Sequence, residues 1–157
     1  MAAMAVTLLA SANPFFQYKE WKTPHGTYPF NDIKSEHYMP AFEEGIKQGL
    51  AEIDAIVANQ EEPTFENTIE AMEFAGQTLN KVAGIFYNVM EAHTNDDMQA
   101  IAEEIAPKMT EFSMYVSLNA PLFERVKTVY EKKDSLGLDK DQMTLLENSY
   151  KGLVRGA

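Results

Sequence analysis

Three histidines, His25, His37 and His93, are the side chains of this sequence best suited to bind a metal or transfer a proton near neutral pH. A zinc-binding helix of the H-E-x-x-H type needs two histidines four residues apart, because that spacing places both rings on one face. No two histidines here have that spacing, and none follows a glutamate by three residues, as a di-iron bundle would require. We therefore predict no metal-binding residue in the chain. His37 is expected to make a contact at the start of a helix, and His93 to interact with a helix dipole.

Other catalytic patterns are also missing from the sequence. There is no cysteine, which excludes a thiol nucleophile and any cysteine-bound metal. There is no glycine-rich phosphate-binding loop and no G-x-S-x-G nucleophile motif. Adjacent carboxylates occur, but neighbours on a helix do not face each other and should lie on a solvated surface. These pairs are Glu43-Glu44, Glu61-Glu62, Asp96-Asp97 and Glu103-Glu104. We predict no catalytic and no cofactor-binding residue.

The charge of the chain narrows its possible partners. It carries 24 acidic and 13 basic residues, a formal net charge of −11. Nucleic-acid binding requires a basic surface that neutralises phosphates, so we predict no nucleic-acid partner. No segment is long and apolar enough to suggest a membrane span.

Residues 1–12 allow two interpretations. Ala10-Ser11-Ala12 has the small-x-small pattern of a signal-peptidase site and follows a short uncharged stretch. A signal peptide also needs a basic leader, yet the first basic residue is Lys19. The stretch is either a truncated signal peptide of a periplasmic protein or an ordinary N-terminus of a cytoplasmic one.

Residues 13–34 differ from the rest in combining prolines with large aromatic side chains. Pro14, Pro24 and Pro29 fix the backbone and remove hydrogen-bond donors, so one continuous helix is excluded. The aromatic residues each need a large area of contact. We predict an extended arm lying on a helical surface.

Residues 35–157 form the predicted helical domain, because apolar residues recur there every three or four positions. The pattern predicts an all-α fold of about five amphipathic helices, the first capped by Ser35. The second is expected to begin after Thr64 and continue to about His93, with close helix contacts at Gly76 and Gly84. The later helices are expected to start at Thr94 or Asn95, at Asn119-Ala120-Pro121, and at Asp139 with Gln142.

The third helix has a well-defined apolar stripe and an interior Pro107, which should kink it. The stripe consists of Met98, Ile101, Ile105, Met109, Phe112 and Val116. The fifth helix carries an apolar stripe close to Ala157, so we expect the next element of the fold to be missing and the domain to be truncated.

Several strings in fixed order extend over about residues 13–157. They are Asn13-Pro14-Phe15, Thr23-Pro24-His25-Gly26-Thr27-Tyr28-Pro29-Phe30, Glu36-His37-Tyr38-Met39-Pro40-Ala41-Phe42-Glu43, Pro63-Thr64-Phe65-Glu66-Asn67-Thr68-Ile69 and Leu122-Phe123-Glu124-Arg125-Val126. Together they resemble the N-terminal region of bacterial peptidyl-dipeptidases, which belong to the thimet oligopeptidase and oligopeptidase A family of zinc metallopeptidases.

The resemblance implies an almost entirely helical enzyme with a deep channel for short peptides, from whose C-termini dipeptides are released. It implies zinc held by an H-E-x-x-H helix and a downstream glutamate in a C-terminal catalytic portion of the same polypeptide. No catalytic residue carries over to this sequence. The chain would form part of one channel wall and be inactive alone. The alternative is a free-standing helical binding module without catalytic activity.

Overall fold

The computed structural model describes residues 13–17, 32–92 and 95–156. Within these ranges the chain forms helices and turns and no strand, which confirms the predicted all-α fold. The helices are α1 Pro14–Gln17, α2 Ser35–Ala58, a π-helical turn Phe65–Glu70, α3 Ala71–Phe74, α4 Gln77–Ala92, α5 Asp96–Ser117, α6 Ala120–Glu131, a 3-10 turn Lys133–Ser135 and α7 Lys140–Gly156.

The chain divides into two compact units. The first unit contains the described residues up to Gln48 together with Gln77–Lys108. The second unit contains Gly49–Gly76 and the residues from Met109 onward. Helices α2 and α5 each contribute residues to both units.

The core of the first unit is built around aromatic rings from α1, α2 and α4. The ring of Tyr38 lies 5.5 Å from Phe15 and 5.1 Å from Phe86, measured between centroids. Phe42 meets Phe86 edge-on at 5.4 Å. Such tilted and edge-to-face pairs are favoured by the ring quadrupoles. Met98 and Ile105, from the predicted stripe of α5, are buried in the same unit.

The core of the second unit brings α6, α7 and the π-helical turn together with the end of α2. Its buried members recur at helical spacing, as an amphipathic helix requires. They are Ile53, Ile56, Phe65, Ile69, Leu122, Val126, Val129, Leu146 and Leu153. Burying a side chain of this kind contributes about 1.5–3 kcal/mol relative to leaving it exposed.

The prediction of one continuous helix from Thr64 to His93 is wrong, because the helix ends at Ala75 and restarts at Gln77. Ala75 is extended, with ψ of 136°, and Gly76 has φ of +76°, a conformation that suits glycine. At the break, the Gly76 N–H donates to the Glu52 carboxylate at 2.7 Å, so this backbone donor is satisfied by a side chain. The apolar residues keep their helical spacing on both sides of the break, so the sequence pattern did not predict it.

The close helix contact expected at Gly84 is not found in the described part of the chain, where no atom would lie within 4 Å of a Cβ atom at that position. The close contacts lie on α2 instead. A Cβ atom at Gly45 would be 2.9 Å from the Cα of Leu79 in the first unit. A Cβ atom at Gly49 would be 2.9 Å from the ring of Phe112 in the second.

Four predicted helix starts are confirmed by side-chain hydrogen bonds. Thr64 and Asn67 form a reciprocal capping box, and Asp139 and Gln142 form another. Asn95 accepts from the Met98 N–H, and Asn119 accepts from the Leu122 N–H. Ser35, by contrast, is the first residue of α2 and not its cap. Pro107 lies inside α5, which is one helix from Asp96 to Ser117.

The predicted arm of residues 13–34 is described at its two ends only: Pro14–Gln17 form one helical turn, whereas residues 32–34 are not helical. Asn13 accepts from the Phe15 N–H at 3.1 Å, and Pro14 opens the single turn of α1. A capping side chain followed by proline favours the start of a helix, which explains this short turn. Residues 1–12 and 18–31, with Ala10-Ser11-Ala12 and most of the arm, lie outside the described residues.

Candidate functional site

His37 makes the contact expected of it at the start of α2. Its Nδ1 accepts from the Lys34 N–H at 3.0 Å, one residue before the helix begins. Its carbonyl oxygen accepts from Asn13 Nδ2 at 2.8 Å. The ring therefore satisfies a backbone donor at a helix terminus, which is a structural role. His25, His93 and Thr94 lie outside the described residues.

The predicted carboxylate pairs lie on the surface and bond to different partners. Glu43 contacts Lys108 Nζ at 2.6 Å, whereas Glu44 contacts Lys47 at 3.5 Å. The ion pair and hydrogen bond with Lys132 hold the pKa of the Glu62 carboxyl below its usual range. None of these contacts brings two neighbouring carboxylates together for acid–base chemistry.

A zinc ion of the kind that the resemblance implies does not fit the side chains described here. In residues 13–17, 32–92 and 95–156, no three histidine, aspartate or glutamate side chains cluster closely enough to hold a metal. Of the three histidines, His37 is the one that lies within the described residues. A zinc site needs three or four such ligands.

The Pro63–Ile69 string forms a local hydrogen-bond network centred on Asn67. The Asn67 Oδ1 accepts from the Thr64 N–H at 2.8 Å and from the buried Thr68 hydroxyl at 2.9 Å. The Asn67 Nδ2 donates to the Glu62 carbonyl at 2.9 Å. This network fixes the loop before the π-helical turn, so the string has a structural explanation.

An open groove of about 750 Å³ in the second unit is the best candidate for a binding surface. We call it the Leu118 groove. Its lining is mainly apolar and comes from the ends of α2 and α5 and the start of α6. It is lined by Asp54, Val57, Glu111, Met114, Tyr115, Leu118, Asn119, Ala120 and Pro121.

The apolar side chains of the Leu118 groove are unusually exposed. Met114 and Leu118 retain 52% and 57% of their accessible surface. The hydroxyl of Tyr115 donates to Asp54 Oδ1, and this hydrogen bond holds the tyrosine side chain at the groove. That hydrogen bond, to a carboxylate, also raises the pKa of the Tyr115 phenol. Clustered exposed apolar surface often marks a binding region.

A second groove, of about 380 Å³, lies beside α3 in the same unit. Phe74, 62% exposed, forms part of its wall together with Glu52 and Asn59. The Glu52 carboxylate is already engaged by the Gly76 N–H. This groove is smaller than the Leu118 groove and has one aromatic side chain.

Sequence reasoning did not identify the Leu118 groove, although a signal was present. Met114, Tyr115 and Leu118 are apolar residues of one segment that fall outside the stripe predicted for α5. A second apolar strip on an amphipathic helix indicates that another face is covered or binds something. No helix in the described part of the chain is long and apolar enough to cross a membrane.

The sequence is similar to those of known bacterial proteins. No family model matches the sequence. The chain is 38% identical to dipeptidyl carboxypeptidase of Escherichia coli K12 over 141 residues, which cover 88% of this chain and 20% of that protein. It is 37% identical to dipeptidyl carboxypeptidase of Salmonella typhimurium LT2 over 137 residues, 87% of this chain and 20% of that protein.

A more distant relative is oligopeptidase A of Salmonella typhimurium, 20% identical over 121 residues, 77% of this chain and 18% of that protein. The chain thus spans about a fifth of the length of the curated relatives that it matches. The resemblance indicated by the sequence strings is confirmed. By sequence, the chain belongs to the dipeptidyl carboxypeptidase family and corresponds to about a fifth of a member's length.

Proposed function

We propose that this chain is the N-terminal, wall-forming portion of a zinc-dependent peptidase that releases dipeptides from the C-termini of short peptides. The observation that carries the proposal is the 38% identity, over 88% of the chain, to a dipeptidyl carboxypeptidase. Because the chain spans a fifth of that relative, we assign the catalytic chemistry to the remaining polypeptide. By itself the chain is inactive.

A wall that admits short peptides needs a fixed shape more than it needs ionisable groups. Several features support such a role. The helix starts are capped by side chains, and α2 carries glycines that let neighbours approach closely at Gly45 and Gly49. Such close packing leaves the helices little freedom to deform.

Zinc is part of this proposal only as a component of the whole enzyme. The sequence has no H-E-x-x-H motif, and we place the zinc ligands in the remaining polypeptide. Accordingly, a chelator should leave the melting temperature of the purified chain unchanged. A fall of several degrees with the chelator, reversed by added zinc, would contradict that placement.

The test of function compares two polypeptides, the 157-residue chain and the product of the complete reading frame in which it lies. Both are incubated with an N-terminally blocked peptide, and released dipeptide is measured by chromatography. We expect dipeptide only from the complete product, and inhibition of that product by a chelator. Dipeptide release by the chain alone, or no release by a complete product that is folded, would overturn the proposal.

The free-standing binding module remains a second candidate, because each unit of the chain has its own buried core. It predicts a reading frame that encodes no further catalytic portion. Sequencing the DNA downstream of the codon for Ala157 separates the two. A continuing frame with an H-E-x-x-H motif supports the peptidase, and its absence supports the module.

A further inference from the structure

The Leu118 groove combines exposed apolar side chains with negative charge. Two carboxylates, Asp54 and Glu111, line it, and none of its nine lining residues is basic. Exposed apolar side chains beside them, Met114 and Leu118, would lose contact with water when covered. An occupant that matches both features has apolar side chains and a positive charge.

The start of α6 also lines the groove, but its donors are largely in use. The Leu122 N–H donates to Asn119 Oδ1 at 3.0 Å, and the Phe123 N–H donates to the Asn119 carbonyl at 2.9 Å. Pro121 has no N–H to offer. This end of the groove therefore offers few free N–H donors that could bind an anion. The charge of the groove is set by its carboxylates, which favour a cationic ligand.

The hydroxyl of Tyr115 fixes the negative charge in place. It donates to one oxygen of Asp54, which ties α5 to α2 and orients the carboxylate at the groove. A carboxylate held in position loses less side-chain freedom when a cation binds, so more of the attraction is retained.

We propose that the Leu118 groove binds a short peptide segment that carries a cationic group next to apolar side chains. The inference rests on the proposed function in one respect, that peptides are the ligands which this family handles. It specifies which peptides the chain itself holds and where. The groove volume of about 750 Å³ lies within the range of small-ligand sites, roughly 300–1,000 Å³.

The experiment titrates the complete 157-residue chain, labelled with nitrogen-15, with two blocked pentapeptides. One has the sequence Leu-Lys-Phe-Lys-Leu, and the other, Leu-Glu-Phe-Glu-Leu, reverses its charge. We expect the lysine peptide to shift the amide signals of α5 from Glu111 to Leu118 and the start of α6. We expect weaker binding at higher salt, because exposed charges are screened. The glutamate peptide should cause no such shifts.

Variants separate charge from apolar contact. The double variant Asp54→Asn with Glu111→Gln should weaken binding of the lysine peptide roughly three- to tenfold, as expected for two exposed charge pairs. Leu118→Ser should also weaken binding of the lysine peptide, because it removes an exposed apolar contact in the groove. Two matched controls, Glu131→Gln and Leu136→Ser, change an exposed carboxylate and an exposed apolar residue outside the groove. They should leave affinity unchanged.

Three results would overturn the proposal. Equal binding of both peptides would show that charge does not select the occupant. Shifts outside the groove would place the peptide elsewhere. No binding would leave the groove as a contact for the rest of the polypeptide, or for a second copy if sedimentation shows a dimer that Leu118→Ser dissociates. The proposed peptidase function is decided separately by dipeptide release, so the two can fail independently.

Discussion

The guanidinium group of Arg125 on α6 hydrogen-bonds to Asn67 in the π-helical turn, with Nη2 donating to Oδ1 at 3.2 Å. Its Nη1 donates to the carbonyl oxygens of Asn59 at 2.7 Å and Glu61 at 3.3 Å. One side chain thus satisfies two carbonyl groups after the end of α2 and also donates to Asn67, whose side chain accepts from the N–H of the capping residue Thr64. Two strings that carry the family resemblance, Pro63–Ile69 and Leu122–Val126, are joined by this contact.

We expect Asn67→Ala to lower the free energy of unfolding by about 2–3 kcal/mol, because it removes half of the capping box and leaves Arg125 Nη2 and the Thr68 hydroxyl without their acceptor. Urea denaturation measures the effect. Asn148→Ala changes an exposed asparagine on α7 and should cost less than about 0.5 kcal/mol. If the two variants have the same free energy of unfolding, the hydrogen bonds of Asn67 contribute nothing to stability.

The helical fold and most helix starts could be predicted from sequence because they depend on local chemistry. Thr64, Asn119 and Asp139 cap helices whose first turns lie within a few residues of them. The break at Gly76 could not be predicted, since it depends on Glu52, 24 positions earlier in the chain. The Leu118 groove likewise combines residues from α2, α5 and α6, which no local pattern brings together.

The glycines of α2 and α4 should respond in opposite ways to the same substitution. Gly45→Ala places a methyl group 2.9 Å from backbone of Leu79, which cannot move aside, so we expect a loss of about 1–3 kcal/mol. Gly84→Ala lies within a helix and meets no atom of the described residues within 4 Å, so it should increase stability by about 0.5–1 kcal/mol. Thermal unfolding of both variants tests this. A stabilising Gly45→Ala would contradict the close approach.

Acid should weaken the second unit through Glu147 on α7. Hydrogen bonds from Lys133 and Lys151 hold the pKa of the Glu147 carboxyl below its usual value near 4.5. A carboxyl group whose pKa is lowered by folding stabilises the fold above its unfolded-state pKa, and that stability is lost as pH falls through the folded-state pKa.

We therefore expect Glu147→Gln to have a lower free energy of unfolding than the unmodified chain at pH 7. The two free energies should converge at acidic pH, below that usual pKa value. Urea denaturation across this pH range measures the difference. The effect should be small because the group is exposed, and high salt should reduce it. Asp141→Asn, an exposed carboxyl at the start of the same helix, is the control. A difference that persists unchanged at low pH would show that ionisation of Glu147 is not its cause.

The aromatic rings of α6 and α7 provide a last test of packing in the second unit. The rings of Tyr130 and Tyr150 stack with 4.0 Å between centroids and an angle of 7° between their planes. The ring of Phe123 also stacks with that of Tyr150, at 5.9 Å between centroids. In a double-mutant cycle, Tyr130→Leu and Tyr150→Leu should show a coupling of about 0.5–1.5 kcal/mol, the usual magnitude for an aromatic pair. Leucine keeps each site apolar, so the cycle isolates the ring contact. Strictly additive effects of the two substitutions would mean that the stack adds nothing beyond the area that each ring buries.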